Sequence, residues 1–351
     1  MTPEEAHGLF PVLERVAYLN AGTFGPLPRA ACEAMEAELQ RDCAHGRHGL
    51  PYFERVLGLR EELRSRLATL VGAEPAQVAL TASTTEACNL VAAGLGLGVD
   101  DEVVTTTEEH FGLVGALHAS GARVVVAPAE PAAILSAVTP RTRLLALSQV
   151  LWTRGLTLPV RELREGAGVP VLVDGAQSVG AIPVDATGID FFTISGQKWL
   201  CGPEATGALV VADPERLRIA RPSYFSQSSF EATGTFVPRE GAARFDPGWI
   251  PTSALAGLLA ALDVPPEWAH ERAAEQARQL RELLAAHVEL AAGDAPLVSF
   301  RHPEASELVS RLLDEGVVVR DIPGTGLVRA SCGWWTSDDD LRRLVDAVAG
   351  S

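Results

Sequence analysis

The sequence predicts an α/β fold, with a mostly parallel seven-stranded sheet in a large domain and a smaller α+β domain after it. Two observations carry that expectation. Between about residues 78 and 211, short apolar, β-branched runs alternate with longer stretches of helical period, the pattern of parallel strands joined by right-handed helical crossovers. From about Thr252 the pattern changes to long Ala/Leu/Glu/Arg-rich helices and then a few strand-like pieces, which reads as a separate α+β unit. At 351 residues the chain also exceeds what one small core needs.

Taken in order, strands are expected over 78–80, 102–105, 123–127, 144–147, 171–173, 191–194 and 208–211. Helical patterns lie between them at 86–94, 113–119 and 160–165. The tail offers strands at 297–300, 317–320 and 327–329 and a last helix over 338–349. The segment 222–251, rich in Ser, Gly, Pro and aromatic residues, reads as a loop near the site. The division expected is an N-terminal segment over 1–17 on the small domain, a large domain over 18–255 and a small domain over 256–351. The chain shows no internal repeat and no low-complexity stretch.

Composition narrows the function classes. Lys plus Arg is 29 and Asp plus Glu is 45, a formal net charge of −16, which disfavours nucleic acid and anionic membranes as partners. No apolar run approaches the roughly 20 residues of a membrane helix. The start, MTPEEAHGLF, lacks the basic and apolar regions of a signal peptide, so a cytoplasmic address is expected. Five widely spaced cysteines without a CxxC pair argue against a disulfide framework or a metal site.

One compositional fact points to chemistry. The chain has a single lysine, Lys198, and the other 28 of its 29 basic residues are arginine. A guanidinium stays protonated, whereas a buried ε-amine can lose its proton and attack a carbonyl. A lone lysine retained amid arginines is therefore a candidate nucleophile. Ser83, Thr84, Thr85, His110, Gln149, Asp174, Gln177, Ser195 and Lys198 all fall just beyond the C-terminal ends of expected strands, the edge where open α/β sheets bind ligands. Any one of them could be a helix cap or turn residue; nine on one edge suggest a site.

Their chemistry fits one ligand. In ALTASTTEACNLV, hydroxyls and free N–H groups at a helix start make an anion seat suited to a phosphate. In VLVDGAQS, Asp174 directly follows a buried strand, where a carboxylate needs a cationic partner such as a protonated ring nitrogen. In FFTISGQKWLCGP, Ser195 and Lys198 stand three residues apart on a glycine-flanked turn. Phosphate, ring nitrogen and aldehyde each have a receptor, so pyridoxal 5'-phosphate is the expected cofactor.

These residues resemble the class V aminotransferase family of fold-type I pyridoxal-phosphate enzymes, which includes cysteine desulfurases and isopenicillin-epimerase-like proteins. The resemblance runs from YLNAGTFGPLP to VRASCGWWTSDDDLRRLV. The segments LALSQVLWTRGLTLPVREL and VVVRDIPGTGLVRASC look most like the cystine C–S lyase subgroup. It implies that Lys198 carries the cofactor as a Schiff base, that Asp174 meets the pyridine nitrogen and that Gln177 lies beside the phenolic oxygen. It further implies that His110 stacks on the ring and that Ser83, Thr84, Thr85 and Ser195 occupy phosphate-binding positions. By the same resemblance, Arg329 binds the substrate α-carboxylate, Arg320 is placed to hold a second carboxylate, Asn20–Gly25 edges the site, and the protein is a homodimer with shared active sites.

Three positions depart from the family pattern: Gln197 replaces the His before the lysine, Ser83 replaces a Gly, and Trp249 in RFDPGW replaces a Thr. The expected activity is C–S β-lysis of a cystine-like or S-conjugated cysteine without a catalytic cysteine, because GVVVRDIPGTGLVR contains none. Transamination and epimerisation are the alternatives within the family. A catalytically silent binding protein is the alternative outside it, and the joint retention of lysine, aspartate, histidine and arginine argues against it.

Overall fold

The computed structural model describes residues 1–350. The large sheet comprises β1 (Val78–Thr81), β2 (Glu102–Thr106), β3 (Arg123–Ala127), β4 (Thr142–Ser148), β5 (Val171–Asp174), β6 (Phe191–Ser195) and β7 (Gly207–Val211). Their spatial order is β1-β7-β6-β5-β4-β2-β3. The pairs from β6 through β5, β4 and β2 to β3 are parallel, and β7 alone runs antiparallel to both its neighbours. β1 therefore points the same way as the parallel strands, and six C-terminal ends share one edge. Alternate side chains enter two apolar layers: Leu80, Val104, Leu145, Val173 and Ile194 enter one, and Ala79, Val103, Ala146, Leu172 and Leu209 the other. Covering both faces requires both sets to be apolar, which is why these strands read as unbroken hydrophobic runs.

The segment expected to be a loop is more ordered than its composition suggests. It holds a hairpin of β8 (Gln227–Phe230) and β9 (Phe236–Pro238), then a 3-10 turn over Gly241–Phe245. Its end is held by a buried charge. Asp246 Oδ1 accepts from the Leu80 N–H at 3.0 Å and from Arg64 Nη1 at 3.2 Å. Asp246 Oδ2 accepts from Arg60 Nη2 at 3.1 Å and Arg64 Nη2 at 2.8 Å. One carboxylate thus ties this segment to β1 and to the helix Gly49–Leu70.

The C-terminal unit packs β10 (Leu297–Arg301), β11 (Arg320–Ile322) and β12 (Leu327–Ser331) as an antiparallel sheet in the order β10-β12-β11. The strand expected over 317–320 is split. Val317–Val318 pairs in parallel with Ala17–Tyr18 of the N-terminal segment, whereas Arg320 begins β11. Phe10 of that segment packs on Trp334 and Trp335, with ring centroids 5.3 and 5.2 Å apart. The helix Thr252–Leu262 lies against the helices Arg29–His45 and Gly49–Leu70, and Ala269–Leu284 lies against β10 and Asp338–Ala349. The helix Thr252–Leu262 spans the boundary expected at residue 255. Among the described residues no helix is long and apolar enough to cross a membrane.

Removing the Asp246 carboxylate would leave two guanidinium groups buried without their partner. Asp246→Ala should lower the unfolding free energy by about 3–5 kcal/mol in urea denaturation. A loss below about 1 kcal/mol would show that the pair does not anchor the segment.

Candidate active site

The site forms along the shared C-terminal edge. Strand register sets Asp174, the last residue of β5, beside Ser148 of β4 and Thr193 of β6. Its carboxylate is buried, and Oδ1 accepts from Thr193 Oγ1 and from the Ala176 N–H, both at 3.0 Å. Oδ2 has no partner among the described residues. A buried carboxylate with one oxygen committed and one open is a receptor for a cationic group.

After β6 the chain enters the turn that carries Lys198. The Gly202 N–H donates to the Gly196 carbonyl at 2.9 Å and the Cys201 N–H to the Lys198 carbonyl at 3.0 Å. Cys201 adopts the left-handed region at φ 55°, a conformation costly for a residue with a Cβ. The N-terminal loop seals the turn from outside, with the Gly25 N–H donating to the Gln197 carbonyl at 2.8 Å. A Cβ at Gly25 would collide with the Lys198 carbonyl, so this position requires glycine. Burial pushes the Lys198 amine down to about 8; Asp174 opposes the shift, and Arg329 and Arg320 reinforce it. Near neutrality the unprotonated, nucleophilic amine is therefore far more populated than in an ordinary lysine, and its share grows as pH rises towards 8.

The helix Thr84–Leu95 starts directly after β1. Ser83 Oγ accepts from the Glu86 N–H at 3.1 Å, and the Glu86 carboxylate accepts from the Ala82 N–H at 2.7 Å. The Ser83 hydroxyl is thus engaged in capping. The N–H groups of Thr84 and Thr85, in the first turn, have no partner among the described residues and remain for an anion. Ser195 Oγ donates to Gln197 Oε1 at 3.0 Å, which couples one expected phosphate position to the residue that departs from the family pattern.

His110 caps the helix Phe111–Ala119, its Nδ1 accepting from the Gly112 N–H at 3.1 Å. That bond places the proton of the neutral ring on Nε2. Burial first, and the Lys198 charge second, hold the imidazole below its ordinary pKa. Glu109 beside it accepts from Thr106 Oγ1 at 2.7 Å and from Ser148 N–H and Oγ at 3.0 and 2.5 Å. Burial raises this carboxyl to about 7 despite those hydrogen bonds, and Asp174 adds to the rise.

The small domain supplies the cations. Arg329 on β12 is wholly buried. Its Nη1 donates to the Trp152 carbonyl at 2.9 Å and its Nη2 to Thr23 Oγ1 at 3.3 Å, while Nε is buried without a partner. Burial and the neighbouring Arg320 push this guanidinium down to about 9. Arg320 on β11 donates from Nη1 to the same Thr23 hydroxyl at 3.3 Å. Thr23 Oγ1 in turn donates to Asn20 Oδ1 at 2.8 Å. Gln177 Nε2 donates to the Gly22 carbonyl at 2.8 Å and Gln177 Oε1 accepts from Trp199 Nε1 at 2.9 Å. A Cβ at Gly22 would stand 2.8 Å from Arg329 Nη2, so the loop can reach the arginine only with glycine here.

Asn20, His110, Asp174, Gln177, Lys198, Arg320 and Arg329 thus converge, and Thr84, Thr85 and Ser195 stand on the same sheet edge. Gln149 follows β4 on that edge, with its Oε1 buried and unpartnered. Trp249 is elsewhere: it lies on the surface, stacked on Tyr224 at 6.1 Å and on Tyr52 at 6.4 Å. Sequence reasoning missed Trp152 and Glu109, and placed Thr23 only as part of the Asn20–Gly25 loop. The signal for Thr23 and Glu109 was position alone, inside YLNAGTFGPLP and beside His110.

The family described as Aminotransferase class-V matches residues 17–314. An isopenicillin N epimerase of Streptomyces clavuligerus is 31% identical over 98% of this chain and 97% of its own length. A probable cysteine desulfurase of Pseudomonas aeruginosa is 32% identical over 95% of this chain and 93% of its own length. Among solved structures, the cystine C–S lyase C-DES in complex with its reaction product cysteine persulfide superposes with a TM-score of 0.90 at 28% identity, covering 97% of this chain and 99% of that one. The open edge of Asp174, the depressed Lys198 amine and these full-length likenesses agree: the chain belongs to the class V aminotransferase family of pyridoxal-phosphate-dependent enzymes.

Proposed function

We propose that this enzyme is a β-lyase that cleaves a C–S bond in a cystine-like or S-conjugated cysteine substrate without a cysteine of its own. The observation that carries the reading is the convergence of Arg329 and Arg320 on the Thr23 hydroxyl, each at 3.3 Å. Neither guanidinium meets a carboxylate among the described residues. Two cations held together without an anion are costly until one arrives, and two seats suit a substrate with two carboxylates. The likeness to C-DES supports the same reading. Cysteine chemistry lacks a nucleophile: residues 320–329 contain no cysteine, and Cys332 is buried with its thiol pushed up to about 12. Cys201 is buried and shifted upward as well, and a protonated buried thiol is inert.

The residues present fit pyridoxal phosphate. The first-turn N–H groups of Thr84 and Thr85 would hold the phosphate, Asp174 Oδ2 the ring nitrogen, and His110 one ring face. When bound, this cofactor supplies an electron sink for the charge that develops at the substrate α-carbon. Arg329 grips the α-carboxylate through charge-assisted hydrogen bonds and sets which bond of the α-carbon stands upright. The freed Lys198 amine takes the α-proton, and its depressed pKa suits that role near neutrality. The substituted sulfur then leaves with the electron pair of the Cβ–S bond, and the released enamine hydrolyses to pyruvate and ammonia. From cystine the sulfur product is cysteine persulfide.

A second reading, epimerisation, is favoured by the full-length likeness to an isopenicillin N epimerase. It needs the proton returned to the opposite face of the α-carbon. Lys198 serves one face, and the neutral imidazole of His110 is the candidate for the other.

Incubation with L-cystine should yield pyruvate and ammonia together with persulfide. Inverted α-carbon configuration without pyruvate would replace the lyase by the epimerase, and a keto acid with pyridoxamine phosphate by a transaminase. Purified protein should be yellow, with one borohydride-labelled lysine, and Lys198→Ala should lose the band. Because the protonated amine cannot attack, reloading of cofactor-stripped protein should accelerate several-fold as pH rises towards 8 and level off above it. A pH-independent rate would contradict the assignment of Lys198. We infer also that the enzyme is a homodimer, with the aromatic patch of Tyr52, Tyr224 and Trp249 at the contact; Tyr224 and Trp249 are 51% and 56% exposed. Light scattering should return a dimer, and Trp249→Glu should shift it towards monomer; a fully active monomer would refute the contact.

A further inference from the structure

We infer that Trp152 is the specificity-determining residue of this site, holding Arg320 as a second anion seat without neutralising it. The inference rests on the reading of Arg320 as a carboxylate receptor and adds the residue that makes it one. Trp152 touches three site groups, one through its backbone carbonyl and two through its ring. Its carbonyl accepts from Arg329 Nη1 at 2.9 Å. Its ring lies beneath the Arg320 guanidinium, 5.9 Å from the ring centroid. The His110 imidazole meets it edge-on at 5.0 Å and 86°.

The indole solves an electrostatic problem. Arg320 must be held near Arg329 although the two repel, and burial of Arg329 sharpens the repulsion. A carboxylate beneath Arg320 would hold it, but would then compete with the substrate for the same hydrogen bonds. An aromatic face attracts the cation through its quadrupole and leaves the guanidinium edge free to donate. The other fixed contacts of Arg320, Thr23 Oγ1 and the Asp321 backbone carbonyl, which accepts from Nε at 3.3 Å, are neutral acceptors.

The position is rigid, as a specificity wall must be. The Gly155 N–H donates to the Leu151 carbonyl at 2.8 Å and the Leu151 N–H to the Leu156 carbonyl at 2.9 Å. Thr153 Oγ1 donates to Glu108 at 2.5 Å, and Arg154 forks onto the same carboxylate at 2.9 Å through Nη2. Ser299 Oγ on β10 donates to the Thr153 carbonyl at 2.7 Å. Neighbouring side chains thus clamp the turn to both domains and leave the indole to the site. Trp152 is only half-buried, unlike Trp199 and Trp335, which are 2% and 1% exposed, so filling a core is not its role.

The occupant this arrangement selects is an amino acid whose far end carries a second anion, with cystine as the probe. The test compares L-cystine with S-methyl-L-cysteine, which lacks the second carboxylate, in the holoenzyme and its Trp152→Leu, Trp152→Phe and Arg320→Gln variants. Apparent Kd is read from the shift of the cofactor absorption band, which needs no turnover, and KM and kcat are read wherever turnover occurs. Trp152→Leu should weaken cystine binding about tenfold while changing S-methylcysteine less than about threefold, and Trp152→Phe, which keeps an aromatic face, should recover most of the loss. Equal losses for both ligands would make Trp152 merely structural, and no loss for either would also overturn the inference. If Arg320→Gln fails to discriminate between the ligands, the two-seat reading falls and the role of Trp152 falls with it. If Arg320→Gln discriminates and Trp152→Leu does not, only the inference about Trp152 is lost. A wild type that binds cystine selectively but forms no pyruvate would remove the lyase assignment and leave the seat intact.

Discussion

The structure around the site depends on one interaction that is left incomplete: a buried guanidinium, Arg329, with no anion of its own. Its hydrogen bonds go to a backbone carbonyl and a hydroxyl, and a second guanidinium stands beside it. Burying a charge on such terms costs several kcal/mol, so the surroundings must hold it rigidly. Gly22 allows the N-terminal loop to approach, Gln177 anchors that loop from the turn after β5, and the Trp152 turn fixes the arginine from the large domain. Loop, sheet and small domain are joined at the point where the substrate carboxylate belongs.

A second electrostatic choice balances the first. Asp174 faces Lys198, and its second carboxylate oxygen stays open. Glu109 behind it accepts three hydrogen bonds and still has its carboxyl raised to about 7. His110 is kept neutral by burial and by the cations opposite. The surroundings therefore favour anions at the arginines, a cation at Asp174 and an amine at Lys198 that gives up its proton more readily than an ordinary lysine, which suits amino-acid chemistry on this cofactor.

The departures from the family pattern find their places in this arrangement. Gln197 accepts from the Ser195 hydroxyl through its side chain and from the Gly25 N–H through its carbonyl, so it ties the lysine turn to the strand before it and the loop above it. The Ser83 side chain contributes a helix cap. Trp249 joins a surface aromatic cluster, while Asp246 three residues before it holds the segment inside the large domain. None of the three disturbs Lys198, Asp174 or Arg329.

Much of this was legible in the sequence because periodicity is a local property. All seven large-sheet strands and the last helix follow from runs of apolar residues, and Lys198, Asp174 and His110 could be placed at strand ends because parallel topology aligns those ends. The same logic fails where pairing partners lie far apart. Residues 317–320 look like one strand, yet they split because Val317–Val318 meets Ala17–Tyr18 while Arg320 turns to β12. The hairpin within 222–251 was hidden because its strands are only four and three residues long, largely exposed, and carry no apolar alternation. Thr23 and Trp152 acquire meaning only when the small domain brings Arg320 and Arg329 against them. The sequence by itself determined which chemical groups the site contains and which strand ends carry them. Only the tertiary structure decided that two arginines share one hydroxyl and one tryptophan, because that meeting joins residues about 170 to 300 positions apart in the chain.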